Sequence, residues 1–134
     1  MSEADSIQSF EEFWPFYVSE HSDPVNRALH YAGTTMVIGT VGAAVVTLNP
    51  AWLLLAPVVG YGPAWVGHFF IEKNKPASFK HPLWSLRGDF KMYGMALRGK
   101  MAAEVERVLA ERAARAEQAS EARSHTNGHA EARI

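Results

Sequence analysis

The apolar positions of this chain fall into three regimes that change along its length. In residues 9 to 20, Phe10, Phe13, Trp14 and Tyr17 recur on one helical face, and Ser9 followed by Glu12 has the spacing of a capping box. That face is aromatic, which suits the headgroup region of a bilayer, so an interfacial helix is expected, with Pro15 bending or shortening it. From Ala28 to Ile71 the pattern is unbroken: 44 residues without Asp, Glu, Lys or Arg. A run twice the ~20 residues needed to cross a bilayer predicts two spans. The Asn49-Pro50 turn signal divides it into 28–48 and 51–71, which close as an antiparallel hairpin. Gly33, Gly39, Gly42, Ala43, Gly60, Gly62 and Gly67 are the small residues along which the two helices can approach. "HSDP" ahead of the first span, with Ser22 or Asp23 as N-cap and Pro24 at the first helical position, predicts a fresh helix start.

After Pro82 the period returns to three and four, through Leu83, Leu86, Phe90, Tyr93 and Leu97, but Arg87, Asp89 and Lys91 exclude a deep span. An amphipathic helix at the interface, or across the cytoplasmic end of the hairpin, is expected. Residues 101–123 continue as a polar helical extension whose apolar stripe fades into alanine, and 124–134 read as a disordered tail. The predicted fold is therefore all-α: an integral membrane hairpin of two transmembrane helices, flanked by N-terminal and C-terminal amphipathic helices, within a domain of residues 1–100.

Composition changes little of this picture. Near-neutral net charge (−1) conceals the segregation of charge to the two ends. Without cysteine there is no disulfide framework and no thiolate site. The acidic N-terminus lacks the basic start and apolar core of a signal peptide. Arg27 before the hairpin and Lys73, Lys75, Lys80 and Arg87 after it, against an uncharged turn, place both termini in the cytoplasm, at the inner membrane if the source is bacterial.

The candidate chemistry lies in histidines. His30 and His68 stand nineteen residues on either side of Asn49, so a hairpin closing there brings both imidazoles to similar depth near the cytoplasmic boundary. His21 can fold back from just before the Pro24 helix start. Glu72, four residues after His68, projects with it on a regular helix, and Asn26 stands in the same relation to His30. Three imidazoles with a carboxylate nearby suit non-haem iron or zinc. The competing readings are a histidine bonded to headgroups or backbone, and a surface ion pair of Glu72 with Lys73 or Lys75. His125 and His129, in the tail beside Asn-Gly, are expected to have no role.

"FYVSEHSDPVNRALHYAG" (16–33) followed after two apolar spans by "GHFFIEKNKPA" (67–77) resembles the Mpo-like family of small membrane proteins with two transmembrane segments, over about residues 13–97. That family includes a fungal iron(II)-dependent dioxygenase of fatty-acid α-oxidation acting on 2-hydroxy fatty acids. The resemblance implies Fe(2+) held by His21, His30 and His68, with Glu72, at the family's acidic position, as a weaker ligand candidate; His81 lies outside the motif and is a weaker candidate on its position alone. Glu72 and Asn26 would act in catalysis, and Arg27, Lys73 or Lys75 would hold the substrate carboxylate. One departure is Ala64, where many members carry glutamine. Implied partners are the bilayer, a 2-hydroxy fatty acid or related lipid and O2, with no nucleic acid and with homo-oligomerisation open. The readings left beside this one are a non-catalytic hairpin whose polar C-terminal helix binds a partner, a metal-dependent lipid hydrolase and bis-histidine haem binding.

Overall fold

A computed structural model describes the backbone of residues 1–131 and the side chains of residues 1–126. The chain is all-helical over these residues. A short α1 (Glu3–Ser6) leads into α2 (Phe10–Ser19), and α3 (Pro24–Thr47) is the first of two helices long and apolar enough to span a membrane. The second, Pro50–Glu72, is built from a 3₁₀ turn (Pro50–Leu54), α4 (Ala56–Val66) and a π-helical turn (Gly67–Glu72). After a 3₁₀ turn at Ala77–Phe79 come α5 (Pro82–Leu97) and α6 (Met101–Glu131).

Local chemistry accounts for the boundaries. Ser9 caps α2 by accepting from the Glu12 amide, but the Glu12 carboxylate accepts from the Gln8 amide, one residue earlier than a capping box requires. Pro15 lies inside α2 without ending it. Asp23 caps α3 through the Val25 amide, with Pro24 at the first helical position. At the hairpin turn Leu48 takes a left-handed conformation and the Asn49 side chain accepts from Ala51 N–H.

The two long helices touch where glycine removes the side chain. A Cβ on Gly33 would lie 3.0 Å from the Gly60 carbonyl oxygen, and one on Gly67 would lie 1.9 Å from Asn26 Oδ1. Gly39, Gly42 and Gly62 have open space at that position, so the close approach uses only part of the small-residue set. Most of the hairpin surface is apolar and uncovered: Val46, Leu54, Val58 and Phe70 are each more than two-thirds exposed. A soluble core helix would bury such residues, and an uncovered apolar surface of this extent is compatible with a lipid environment.

The packed core sits beside the hairpin's open end, not within it. Phe10, Phe13, Trp14, Tyr17 and Val18 of α2 bury against Met92 of α5 and Met101, Val105 and Val108 of α6. The aromatic face of α2, read from the sequence as one for headgroups, therefore packs inward. Arg87 and Lys91 lie over the Phe10 and Trp14 rings, and Glu104 accepts from the Trp14 indole N–H at 2.8 Å. On α5, Ser85, Gly88 and Met92 are buried, while the apolar Leu83, Leu86, Phe90 and Leu97 are exposed along with Arg87 and Lys91. α6 continues helically through 124–131, where the sequence suggests an irregular tail; residues 132–134 lie outside the described residues.

Candidate metal centre

Three segments each deliver one imidazole to the same point. His21 follows the last turn of α2, His30 sits on the second turn of α3, and His68 is carried by the π-helical turn. That turn is wider than an α-helical one, and it directs Gly67 and His68 towards α3 while Phe69, Phe70 and Ile71 face outward. All three imidazoles are buried, at 1%, 5% and 2% exposure. Their ring centroids lie 4.4, 4.6 and 5.0 Å apart, and they meet nearly edge to face.

Their hydrogen bonds determine what they present to one another. His21 Nδ1 lies 2.6 Å from the Tyr17 carbonyl oxygen, His30 Nδ1 2.9 Å from the Asn26 carbonyl oxygen, and His68 Nδ1 2.7 Å from Asn74 Oδ1. Asn74 is oriented in turn, because its Nδ2 donates to the Glu20 carbonyl at 3.0 Å. Carbonyl and amide oxygens only accept, so each Nδ1 must carry the proton and each Nε2 must hold a lone pair. His21 Nε2 and His30 Nε2 are nevertheless 3.1 Å apart. Two lone pairs facing at this distance have no hydrogen to share, and a cation between them resolves the conflict.

The His21–His30 Nε2 spacing is that of two ligands on one first-row metal. Two nitrogens bound at ~2.1 Å in tetrahedral or octahedral geometry are about 3.0 to 3.4 Å apart. One donor nitrogen from each of the three histidines lies within 4.8 Å of the others. A space of about 20 Å³ opens between them, enough for one small occupant. Burial, reinforced by the neighbouring imidazoles, holds the His21 pKa well below its ordinary 6.5, so this ring stays neutral and available as a ligand.

The small space shares His30, Tyr61, Ala64, Ser85 and Asp89 with a larger cavity of about 290 Å³ between the hairpin and α5. Val37, Leu53, Pro57, Leu86 and Phe90 give that cavity an apolar lining, and Leu53, Leu86 and Phe90 are themselves half-exposed at its rim.

The other residues expected at the site do not present side chains to the triad's meeting point, though Asn26 and Arg27 brace it through the backbone. Glu72 accepts from the Asp23 amide at 2.5 Å and from Ser22 Oγ at 3.2 Å, tying the end of the second long helix to the start of α3. Asn26 contributes its backbone carbonyl to His30, while its side-chain Oδ1 is buried against Gly67 without a hydrogen-bond partner. The Arg27 guanidinium donates to the carbonyls of His21 and Ser22 at 2.8 and 2.7 Å and so braces the loop that carries His21. Lys73 and Lys75 are exposed past the π turn. His81 is elsewhere, its Nε2 2.7 Å from the Ala4 carbonyl and its ring stacked on Trp84. His125 is exposed on α6, and the side chain of His129 lies outside the described residues.

Four residues at the site are not assigned to it by the sequence, although Tyr17 and Asp89 are named there for other reasons. Asn74 lies inside the second motif, six residues from His68, but in a loop whose path no periodicity reveals. Tyr17 stacks on His21 with centroids 4.1 Å apart and donates its hydroxyl to Asp89. Ser85 and Asp89, four apart on α5, share a helix face that points at the cavities, and this spacing was the signal available.

No curated protein and no solved structure matches the chain. A family model does match over residues 7–101, which contain all three histidines, the Asn74 loop and the whole of α5. By that match the chain belongs to the 2-hydroxy-palmitic acid dioxygenase Mpo1-like family.

Proposed function

We propose that this protein is a membrane-embedded non-haem Fe(II) dioxygenase that removes C1 from 2-hydroxy fatty acids. The observation that carries the reading is the convergence of three buried imidazoles, one ring nitrogen of each within 4.8 Å of the others and each Nδ1 held by an oxygen, beside an apolar cavity. Iron(II) bound there would supply the electrons that activate O2 and open positions for the hydroxy acid. The reaction balances as 2-hydroxy acid plus O2 giving a fatty acid one carbon shorter, CO2 and water; the C1–C2 bond breaks and C2 becomes the new carboxyl carbon.

The protein's part is positioning. His21, His30 and His68 hold the metal, and Tyr17 O, Asn26 O and Asn74 keep their rings from turning. The cavity takes the acyl chain and excludes water, while its half-exposed rim of Leu53, Leu86 and Phe90 lets a lipid enter sideways from the bilayer. Among the described residues no lysine or arginine lines either cavity, so the substrate carboxylate depends on the metal for a positive partner. Lys73 and Lys75 act on topology, keeping both termini and the charged end of the hairpin in the cytoplasm.

The test is anaerobic reconstitution of detergent-purified protein with Fe(II), followed by 2-hydroxypalmitate and O2, with pentadecanoate and CO2 measured together. Stoichiometric iron and equimolar products, lost on changing His30 or His68 to Ala, are expected. A folded protein that retains no metal would overturn the reading in favour of a non-catalytic hairpin. Zinc retention with lipid cleavage that consumes no O2 would favour a hydrolase.

A further inference from the structure

The triad and the apolar cavity do not account for the polar wall of α5 that faces them. Ser85 and Asp89 stand four residues apart, on one helix face, and both line the metal-sized space as well as the larger cavity. Ser85 Oγ is buried, at 6% exposure for the residue, and has no hydrogen-bond partner. A buried hydroxyl without a partner is a standing unfavourable feature that a ligand group could relieve. Asp89 accepts from the Tyr17 hydroxyl through Oδ1, and its second oxygen has no hydrogen-bond partner among the described residues. One donor and one acceptor are therefore left open side by side, next to the three imidazoles.

Their chemistry selects the ligand group. A carboxylate can only accept, and Asp89 repels it; a methylene can do neither. A hydroxyl donates one hydrogen bond and accepts another, so among the carboxylate, hydroxyl and methylene groups of a 2-hydroxy acid it is the one that satisfies both partners. We propose that Ser85 and Asp89 form a hydroxyl-recognising subsite, which makes the protein select acids carrying a hydroxyl on the carbon next to the carboxylate over plain fatty acids. The Ser85 hydroxyl donates to the ligand oxygen, Asp89 accepts the ligand O–H, and Tyr17 holds Asp89 in place. The assignment rests on the proposed function for its substrate class, but its own content is the division of labour: the imidazoles hold the metal, and α5 reads the hydroxyl.

A site that hydrogen-bonds a substrate hydroxyl rejects the analogue lacking it, because its own polar groups are then left unpaired. The test compares binding of 2-hydroxypalmitate and palmitate to Zn(II)-loaded protein, which is redox-inert, by calorimetry in detergent, for the native sequence, Ser85→Ala and Asp89→Asn. Asn keeps an oxygen to accept from Tyr17, and Ala removes only an oxygen that holds nothing in the structure, so both variants are chosen to fold; Zn(II) affinity checks that the triad survives. The native protein should prefer the hydroxy acid, and each variant should lose about tenfold of that preference. A role confined to packing would leave the ratio of the two affinities unmoved. Preference retained in both variants overturns the subsite while leaving the dioxygenase reading intact. Loss of Zn(II) affinity in Asp89→Asn also overturns it, since Asp89 would then belong to the metal. A native protein that binds zinc but neither acid removes both the subsite and the proposed function.

Discussion

Asn74 offers the sharpest separation between a metal centre and an ordinary polar cluster. Its Oδ1 accepts from His68 Nδ1 at 2.7 Å and its Nδ2 donates to the Glu20 carbonyl at 3.0 Å, so Asn74→Ala removes two different things. Loss of the acceptor frees the His68 ring to rotate and to move its proton to Nε2, where it blocks ligation. Partners of this kind typically contribute 10–100-fold to metal affinity, about 1.4–2.7 kcal/mol. Loss of both bonds should lower fold stability by about 1–3 kcal/mol. Asn74→Asp separates the effects, because it keeps and strengthens the acceptor while discarding the donor. Competition titration with a chromophoric chelator, using Co(II) or Zn(II), should show weakened binding for Ala and native or tighter binding for Asp. Thermal melts of the metal-free proteins should show both variants destabilised. If folded Asn74→Ala binds within about twofold of the native protein, the fixed tautomer does not create the site and the lone-pair reasoning fails.

Three further outcomes follow from the geometry. Gly67→Ala places a Cβ 1.9 Å from Asn26 Oδ1 and 3.3 Å from Asn26 Cα, so the buried Asn26 side chain must move and its backbone must give slightly; a loss of about 1–3 kcal/mol, with weakened metal binding, is expected in melts and titrations, and an unchanged melt would show that the crossing is loose. In metal-free protein, His21, its pKa held low by burial, binds fewer protons folded than unfolded, so stability should fall as pH drops below 6.5; Asp89 opposes this, because burial pushes it from 3.8 up to about 6, and the folded state takes up its proton first. Asp89→Asn should therefore melt higher than the native chain above pH 6, by at most about 3 kcal/mol, with the gain vanishing towards pH 4; equal melts at high pH would refute the buried-carboxyl account. Chelator treatment of metal-loaded protein should lower the melting temperature, since ligand at 1,000 times its Kd stabilises by about 4 kcal/mol, whereas a melt indifferent to chelator would mean that no metal links the three segments.

The hairpin and the meeting of the histidines were legible because they depend on quantities that a sequence carries directly: length, absence of charge and distance from a turn. Equal separation of His30 and His68 from Asn49 puts them at one depth whatever the details of packing. His21 joins them because Asp23 and Pro24 restart the chain at a known point, which leaves only a short loop to fold back. The aromatic face of α2 was legible as a buried face but not as a face against protein. Amphipathicity says that one side avoids water; it does not distinguish lipid from Met92, Met101 and Val108.

Glu72 and α5 show where regular periodicity misleads. Pairing Glu72 with His68 assumes 3.6 residues per turn, under which positions four apart share a face. The π-helical turn from Gly67 to Glu72 breaks that alignment: His68 faces the other imidazoles, and Glu72 reaches the Asp23 amide. In α5 the charged positions speak against a deep span, because charge deep in a bilayer is costly, but their periodicity alone does not say which of them face the imidazoles. Leu83, Leu86, Phe90 and Leu97 turn outward, and the inward face, which packs Met92 into the core, also sets Ser85 and Asp89 beside the imidazoles. α5 thereby carries a polar wall into a largely apolar cavity, where a hydrogen bond to a ligand hydroxyl would compete with little water and discriminate most.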